Sequence, residues 1–447
     1  MNPEEFVTNL EQMILRLLAE RDAAIEAARR FEKEILALKK RLAFYENPNT
    51  PPSVETLRKK AKKEPHRKRG APKGHRGATR TVPDPERVVH STATQCPRCH
   101  QDPGAPTGTV EKTTEEMEAP PKITATKHIL DKFECQHCGF EFTATHSDCP
   151  RVGNFGPKLL VYITMLKYHM RGPLRRVQEF MWYQNDFEVS PKGIMDMLLR
   201  VGDACKANYE RLIEKVRAAK WRYIDETGMK VNGKNYWLWI FRTDEGDVLV
   251  VIRKSRGSKV LEEILGKDHV GPDVADGWRA YSYIETLQRC WAHLLREVDD
   301  YKDASGNGER LSDEVHKMFM RLSKALSQDP SMEERKRLKK MFDKEMIDLV
   351  KKFTVFEELE KPVGYIQRGL GSWFTCLLFP GMEPTNNLGE QAMREHVIIR
   401  KIIGCFRSEN GSQNYQYIAS LLATCKLQGK NIFFELENVL RKELCMS

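Results

Sequence analysis

Apolar residues recur every seven positions along the first forty-odd residues. Leu10, Leu17, Ala24, Phe31, Leu38 and Tyr45 form one series, and Ile14, Arg21, Ala28, Ile35 and Leu42 fill the alternate heptad position. This is a coiled-coil a/d pattern with one polar misfit, Arg21. It predicts a self-associating helix over 1–46, with a single amphipathic helix packed on its own domain as the plainer reading. Asn47, Pro48, Pro51 and Pro52 end it. Helical spacing returns from about Gly153 to Lys220, in GPKLLVYITMLKYHM, in LRRVQEFMWYQ and in the run that starts at Ser190. Ser190 is the expected cap of that last helix, with Pro191 in its first turn. Short helix, turn and capped helix suit a helix-turn-helix DNA reader, and suit ordinary helical packing equally well.

At Trp221 the period changes. WRYIDETGMKV and NYWLWIFRT read as strands, DEGD as a turn, and VLVVIRKS as a third strand. A helix follows in SKVLEEIL, and HVGPDVADGW supplies a fourth strand ending at Asp276. Three strands in a meander, a helix and a further strand make the ribonuclease-H-like order. In that order the centre of the first strand lies beside the end of the fourth. HKMFMRLSKAL and MEERKRLKKMFDKEMIDLVKKF then predict a helical insertion. A later helix carries Glu390, with Thr385 or Asn386 as expected cap and Met393, Val397 and Ile398 as its apolar stripe.

The expected fold class is multidomain α/β. A coiled-coil helix spans 1–46, a basic arm 47–82, a zinc-ribbon-like module 83–150 and a helical DNA-binding domain 151–220. A ribonuclease-H-like mixed sheet follows in two parts, 221–300 and 361–447, split by the helical insertion at 301–360.

Charge adds a partner to this picture. The 447 residues carry a net charge of +10, which suits a polyanion. The cationic run LRKKAKKEPHRKRGAPKGHRGATR holds Lys59, Lys60, Lys62, Lys63, Arg67, Lys68, Arg69, Lys73, His75 and Arg76, with almost nothing apolar to bury. Its natural partner is the phosphate backbone of DNA or RNA, bound through counterion release. A nuclear-import signal and a solvated spacer are the other readings. No apolar run is long enough to span a bilayer, and the N-terminus lacks the features of a secretory signal. A cytoplasmic, nucleoid-associated protein is therefore expected, with its eleven cysteines as thiols or metal ligands.

Two CxxC knuckles, Cys96–Cys99 and Cys135–Cys138, flank the strand-like KITATKHILDKFEC. Four thiolates in a tetrahedron suit one structural Zn²⁺. His100, His146 and Cys149 are substitute ligands, and Cys96 to His100 also spells the haem-attachment pattern CxxCH. Cys290 and His293 form a CxxH that is half a metal site, with packing and hydrogen bonding as the plainer role.

The chemistry rests on Asp225, Asp276 and Glu390. Singly, each has a bland reading: a strand-end carboxylate, an Asp-Gly turn, and a Glu390–Arg394 helical pair. The strand order is what predicts their convergence. Gathered together, they suit two Mg²⁺ (or Mn²⁺) ions and the cutting of a phosphodiester. Arg394, Arg400, Lys401 and Arg407 are candidates for phosphate contact nearby. Neither a Walker A sequence nor a GxSxG elbow is present.

YIDET, DGWRAY, CWAHLLRE, NNLGEQAMR and IIRKIIGCFRSENG, together with the heptads, the GAPKGHRG arm and the paired knuckles, resemble the DDE transposases of the insertion-sequence sixty-six group. The resemblance covers nearly the whole chain. It implies Asp225, Asp276 and Glu390 as the acidic triad with Mg²⁺ as cofactor. It also implies recognition of terminal inverted repeats, cleavage at the element's ends, strand transfer into target DNA, and possible accessory proteins encoded beside the gene. One departure is Gln391, where the family often has Arg. A non-catalytic zinc-containing DNA-binding regulator, such as a domesticated relative, is the competing reading, and a nuclease without strand transfer is another.

Overall fold

The structure, a computed structural model, describes most positions from 17 to 35, scattered positions between 88 and 105, and 121–446 apart from 135, 136 and 304. The chain divides into two units, 1–115 and 116–447. In the first, the described positions from 17 to 35 are helical, and the heptad residues Leu17, Phe31 and Ile35 are exposed. Arg21, Ala24 and Ala28 are exposed on the same helix, whereas Leu10, Ile14, Leu38, Leu42 and Tyr45, the basic arm, and Cys96, Cys99 and Cys135 lie outside the described residues.

The second unit begins with a small hairpin, β1 (Lys132–Glu134) paired antiparallel with β2 (Glu141–Thr143). Strand structure is thus shorter than KITATKHILDKFEC suggests, and 121–131 is irregular. Three helices follow: α1 (Pro157–Thr164), α2 (Leu174–Asn185) and α3 (Pro191–Ala218). The Ser190 hydroxyl accepts the Gly193 N–H at 3.1 Å and caps α3, as its sequence predicts.

The central sheet holds β3 (Arg222–Val231), β4 (Lys234–Thr243), β5 (Val248–Arg253), β6 (Asp273–Ala275) and β7 (Leu287–Arg289). Their spatial order is β5-β4-β3-β6-β7. Asn232 and Gly233 both adopt positive φ, the conformation a two-residue hairpin turn requires, and so fold β4 back on β3. The first three strands form the expected meander. After α4 (Ser258–Leu265), β6 joins β3 in parallel, and β7 joins β6 in parallel. β7 is not legible in the sequence: three residues are too few to show a period.

Alternation along β4 and β5 divides the sheet between two cores. Leu238, Ile240, Val250 and Ile252 face one cluster, and Trp239, Phe241, Leu249 and Val251 face the other. The first is covered by α1, α2, the start of α3, α9 (Asn387–Ile403), α10 (Glu409–Leu427) and α11 (Ile432–Leu440). The second is covered by the end of α3, by α4 and by a short helix at Arg279–Tyr283. Burial on both faces makes these strands read as almost continuous apolar runs.

The expected insertion at 301–360 holds α6 (Gly306–Ser327) and α7 (Met332–Phe353), and is flanked by α5 (Trp291–Asp299) and α8 (Glu360–Gln367). They bury Trp291, Phe342, Trp373 and Phe374 in a third core. Arg222 ties the sheet to α3. It meets Asp273 at 2.5 Å, wholly buried, and donates to the Val216 carbonyl at 3.1 Å. One guanidinium therefore joins the end of α3 to both β3 and β6.

Candidate active site

Ladder pairs Arg222–Asp273 and Tyr223–Val274 set the parallel register of β3 and β6. The same register, carried past the last pair, brings Asp276 opposite Asp225. Side chains at paired positions of parallel strands leave on the same face. Asp225 thus sits within β3, and Asp276 on the turn that leaves β6. The turn is an Asx turn, with Asp276 Oδ1 accepting the Trp278 N–H at 2.8 Å. Gly277 follows of necessity, because a Cβ there would lie 2.0 Å from the Arg289 guanidinium and 2.7 Å from the Tyr365 hydroxyl.

Glu390 arrives on the first turn of α9. That helix is held against β3 and β4 at three points. The buried Asn386 side chain donates to the Ile224 carbonyl at 2.7 Å. Arg242 donates to the Leu388 carbonyl at 3.0 Å and to Gln391 Oε1 at 3.4 Å. Arg400 donates to Thr227 Oγ1 at 2.8 Å and to the Gly228 carbonyl. Asn386 occupies the N-cap position, but its side chain reaches across to β3 and makes no cap bond, contrary to the sequence expectation. The buried stripe of α9 also differs from the expected one: Gly389, Ala392, Met393, His396 and Ile399 face inward, while Val397 and Ile398 are half-buried.

The three acids share an electrostatic environment. Burial, and then the negative charges of Glu226, Asp276 and Glu390, push the Asp225 carboxyl up to about 8. Glu226 has its own partners, the Tyr281 hydroxyl and Arg256, the latter at 2.8 Å. Arg256 is in turn stacked between Trp237 and Trp278, 4.6 and 3.9 Å from their centroids. Glu390 takes Arg296 at 3.3 Å, and the ion pair that sequence spacing offers with Arg394 is not its partner here.

Cys290 and His293 gain a role that spacing alone did not reveal. Cys290 stands at the N-cap of α5 and His293 lies in its first turn. Their ligand atoms and that of Glu390 all lie within 4.8 Å of one another, the group of this kind among the described residues. The signal in the sequence was the CxxH, but its third member is 97 residues beyond His293 in the chain. Glu226 was also missed as a fourth acid beside Asp225.

Of the other sequence-predicted residues, Arg394 and Arg407 are exposed, and Lys401 is exposed on the last turn of α9. Arg400 is engaged with β3, as described. Cys138 is exposed. Among the described residues, no helix is long and apolar enough to cross a membrane.

Comparison with known proteins places the chain in a family. The uncharacterized protein y4qI of Sinorhizobium fredii (strain NBRC 101917 / NGR234) is 26% identical over 317 residues, which cover 61% of this chain and 56% of that protein. The chain therefore spans little more than half the length of this relative. The family model described as "Transposase IS66 family" matches residues 152–414, more than half of the chain, from α1 through the sheet and the insertion to the start of α10. The chain belongs to the IS66 transposase family.

Proposed function

We propose that this chain is a DNA transposase that cuts and joins phosphodiesters with Asp225, Asp276 and Glu390. What supports the reading is that the β3–β6 register sets Asp276 opposite Asp225, and that Asp276 and Glu390 are both near enough for their charges to push the Asp225 carboxyl up. The sheet order, with a meander followed by parallel β6 and β7, supports a ribonuclease-H-like core.

The donor set fits Mg²⁺ or Mn²⁺: three carboxylates are hard oxygen ligands, and a divalent cation relieves the acid–acid repulsion that adds to burial in pushing Asp225 up. When bound, a metal pair lowers the pKa of an attacking water or 3′-hydroxyl and stabilises the leaving oxygen. The chain's own residues do the positioning. Arg222 holds β3 and β6 in register. Asn386, Arg242 and Arg400 hold the Glu390 helix against the same strands. Arg256 and Tyr281 hold the neighbouring Glu226 in bonds of its own.

Around this core, the arm residues Lys59 to Arg76 neutralise DNA phosphates, and Arg394, Lys401 and Arg407 contact them near the acids. Cys96, Cys99, Cys135 and Cys138 bind one structural Zn²⁺. The N-terminal helices pair two or more chains, which brings both element ends into one complex. The partners are terminal inverted repeats, target DNA and, where present, accessory proteins encoded by the element.

The test is Mg²⁺-dependent nicking of terminal-repeat DNA. Wild type is expected to nick, and Asp225→Asn to bind equally and cut at least about a hundredfold more slowly. If both bind equally and neither nicks, the protein is a DNA-binding regulator. A pre-cut end with a free 3′-hydroxyl separates a transposase from a nuclease, because only the former joins it to a target.

A further inference from the structure

His293 Nδ1 is buried and has no hydrogen-bond partner. A buried ring nitrogen left unpaired carries a desolvation cost, and native proteins rarely tolerate it without a use. It lies 3.9 Å from Glu390 Oε1. On the same side, the Cys290 sulfur completes the group whose ligand atoms lie within 4.8 Å of one another. The Cys290 sulfur already accepts the Asn386 backbone N–H at 3.1 Å, a bond that orients it.

We propose that Cys290 Sγ, His293 Nδ1 and Glu390 form a Zn²⁺ site, and that its occupancy withdraws Glu390 from Asp225 and Asp276. Sulfur, imidazole and carboxylate together select zinc over magnesium, which prefers oxygen alone. Three protein ligands leave one position for water. Binding releases the thiol proton to solvent. Arg296, whose side chain is mostly exposed, is the cation that the ion replaces beside Glu390. The second half of the proposal rests on the reading of Glu390 as the third acid. On that reading, free zinc is an off-switch that competes for a single carboxylate.

The experiment counts zinc on the full-length protein by native mass spectrometry after loading with excess Zn²⁺ and gel filtration. Wild type is expected to carry one more ion than Cys290→Ser or His293→Ala, the CxxC knuckles accounting for the ion that remains. Cys290 is fully buried, so Cys290→Ser can misfold. His293 is one-third exposed, and His293→Ala then decides. An identical count in wild type and His293→Ala overturns the site. In Mg²⁺-supported nicking, the zinc concentration giving half inhibition is expected to rise at least about tenfold in His293→Ala. Equal inhibition of both overturns the switch. Should wild type bind DNA without nicking, the transposase reading falls while the zinc count still decides the site.

Discussion

Asp225 has a protonation problem created first by burial and then by its acidic neighbours. Its carboxyl is pushed from the usual 3.8 to about 8, so the native state holds the proton more tightly than the unfolded chain. The stability this provides is complete below about pH 4 and is lost as pH rises towards about 8. In the absence of metal, Asp225→Asn is therefore expected to be more stable than wild type at pH 8, by about 2 kcal/mol after allowing for its partial exposure. The gain should shrink as pH falls. Thermal melts at two pH values check this, and a gap that does not change with pH counts against the acid cluster. Added Mg²⁺ should raise the melting temperature of wild type more than that of the variant.

At the scale of elements, the site depends on one helix held against one strand. Asn386 and Arg400 bond α9 to β3 from the two ends of the helix. Asn386→Ala leaves the Ile224 carbonyl without its partner and is expected to cost about 1–3 kcal/mol. Nicking should fall further than DNA affinity, because Glu390 sits one turn along the same helix. A variant that loses stability yet nicks at the wild-type rate would separate helix placement from catalysis. The other shared element is the β3–β6 pair. Removing Asp273 strands a buried guanidinium, so Asp273→Ala is expected to cost about 3–5 kcal/mol, read by denaturant titration. Gln391 also acquires a meaning at this scale. It accepts from Arg242, a strand residue, and so helps hold α9 in place.

For the whole molecule, the division of labour follows charge. The cationic run from Lys59 to Arg76 has almost no acid to oppose it, whereas Asp225 in β3 has acidic neighbours in Glu226, Asp276 and Glu390. Binding and cutting should therefore be separable. Replacing Lys59, Lys60, Lys62 and Lys63 by Ala is expected to weaken DNA binding at every sequence. It should also flatten the salt dependence of log K by up to about 0.9 for each phosphate that is no longer neutralised. The cutting rate of the bound complex should not change. Filter binding across a salt series checks the first part and single-turnover nicking the second. An unchanged slope would mean that the arm does not bind the DNA backbone.

Much of this architecture was legible from residue order alone. Alternating or continuous apolar runs marked the first three strands, a break at Gly277 marked the end of the fourth, and Ser190–Pro191 announced the start of α3. These signals are local: a strand, a cap or a hairpin is determined by residues within a few positions of one another. Other features depended on contacts between segments far apart in sequence. Three-residue β7 exists only because β6 is there to pair with it. Asn386 looked like a helix cap, and became a cross-strand bond because the Ile224 carbonyl was within reach. Glu390 had Arg394 one turn away, yet it faces Arg296, His293 and Cys290 from another helix. The amino-acid order determined which acids, thiols and rings this protein has and on which kind of element each lies. Only the packing of α9 and α5 against β3 decided which of them share a site, because a side chain's partners are set by distance in space, and spacing along the chain does not encode that distance.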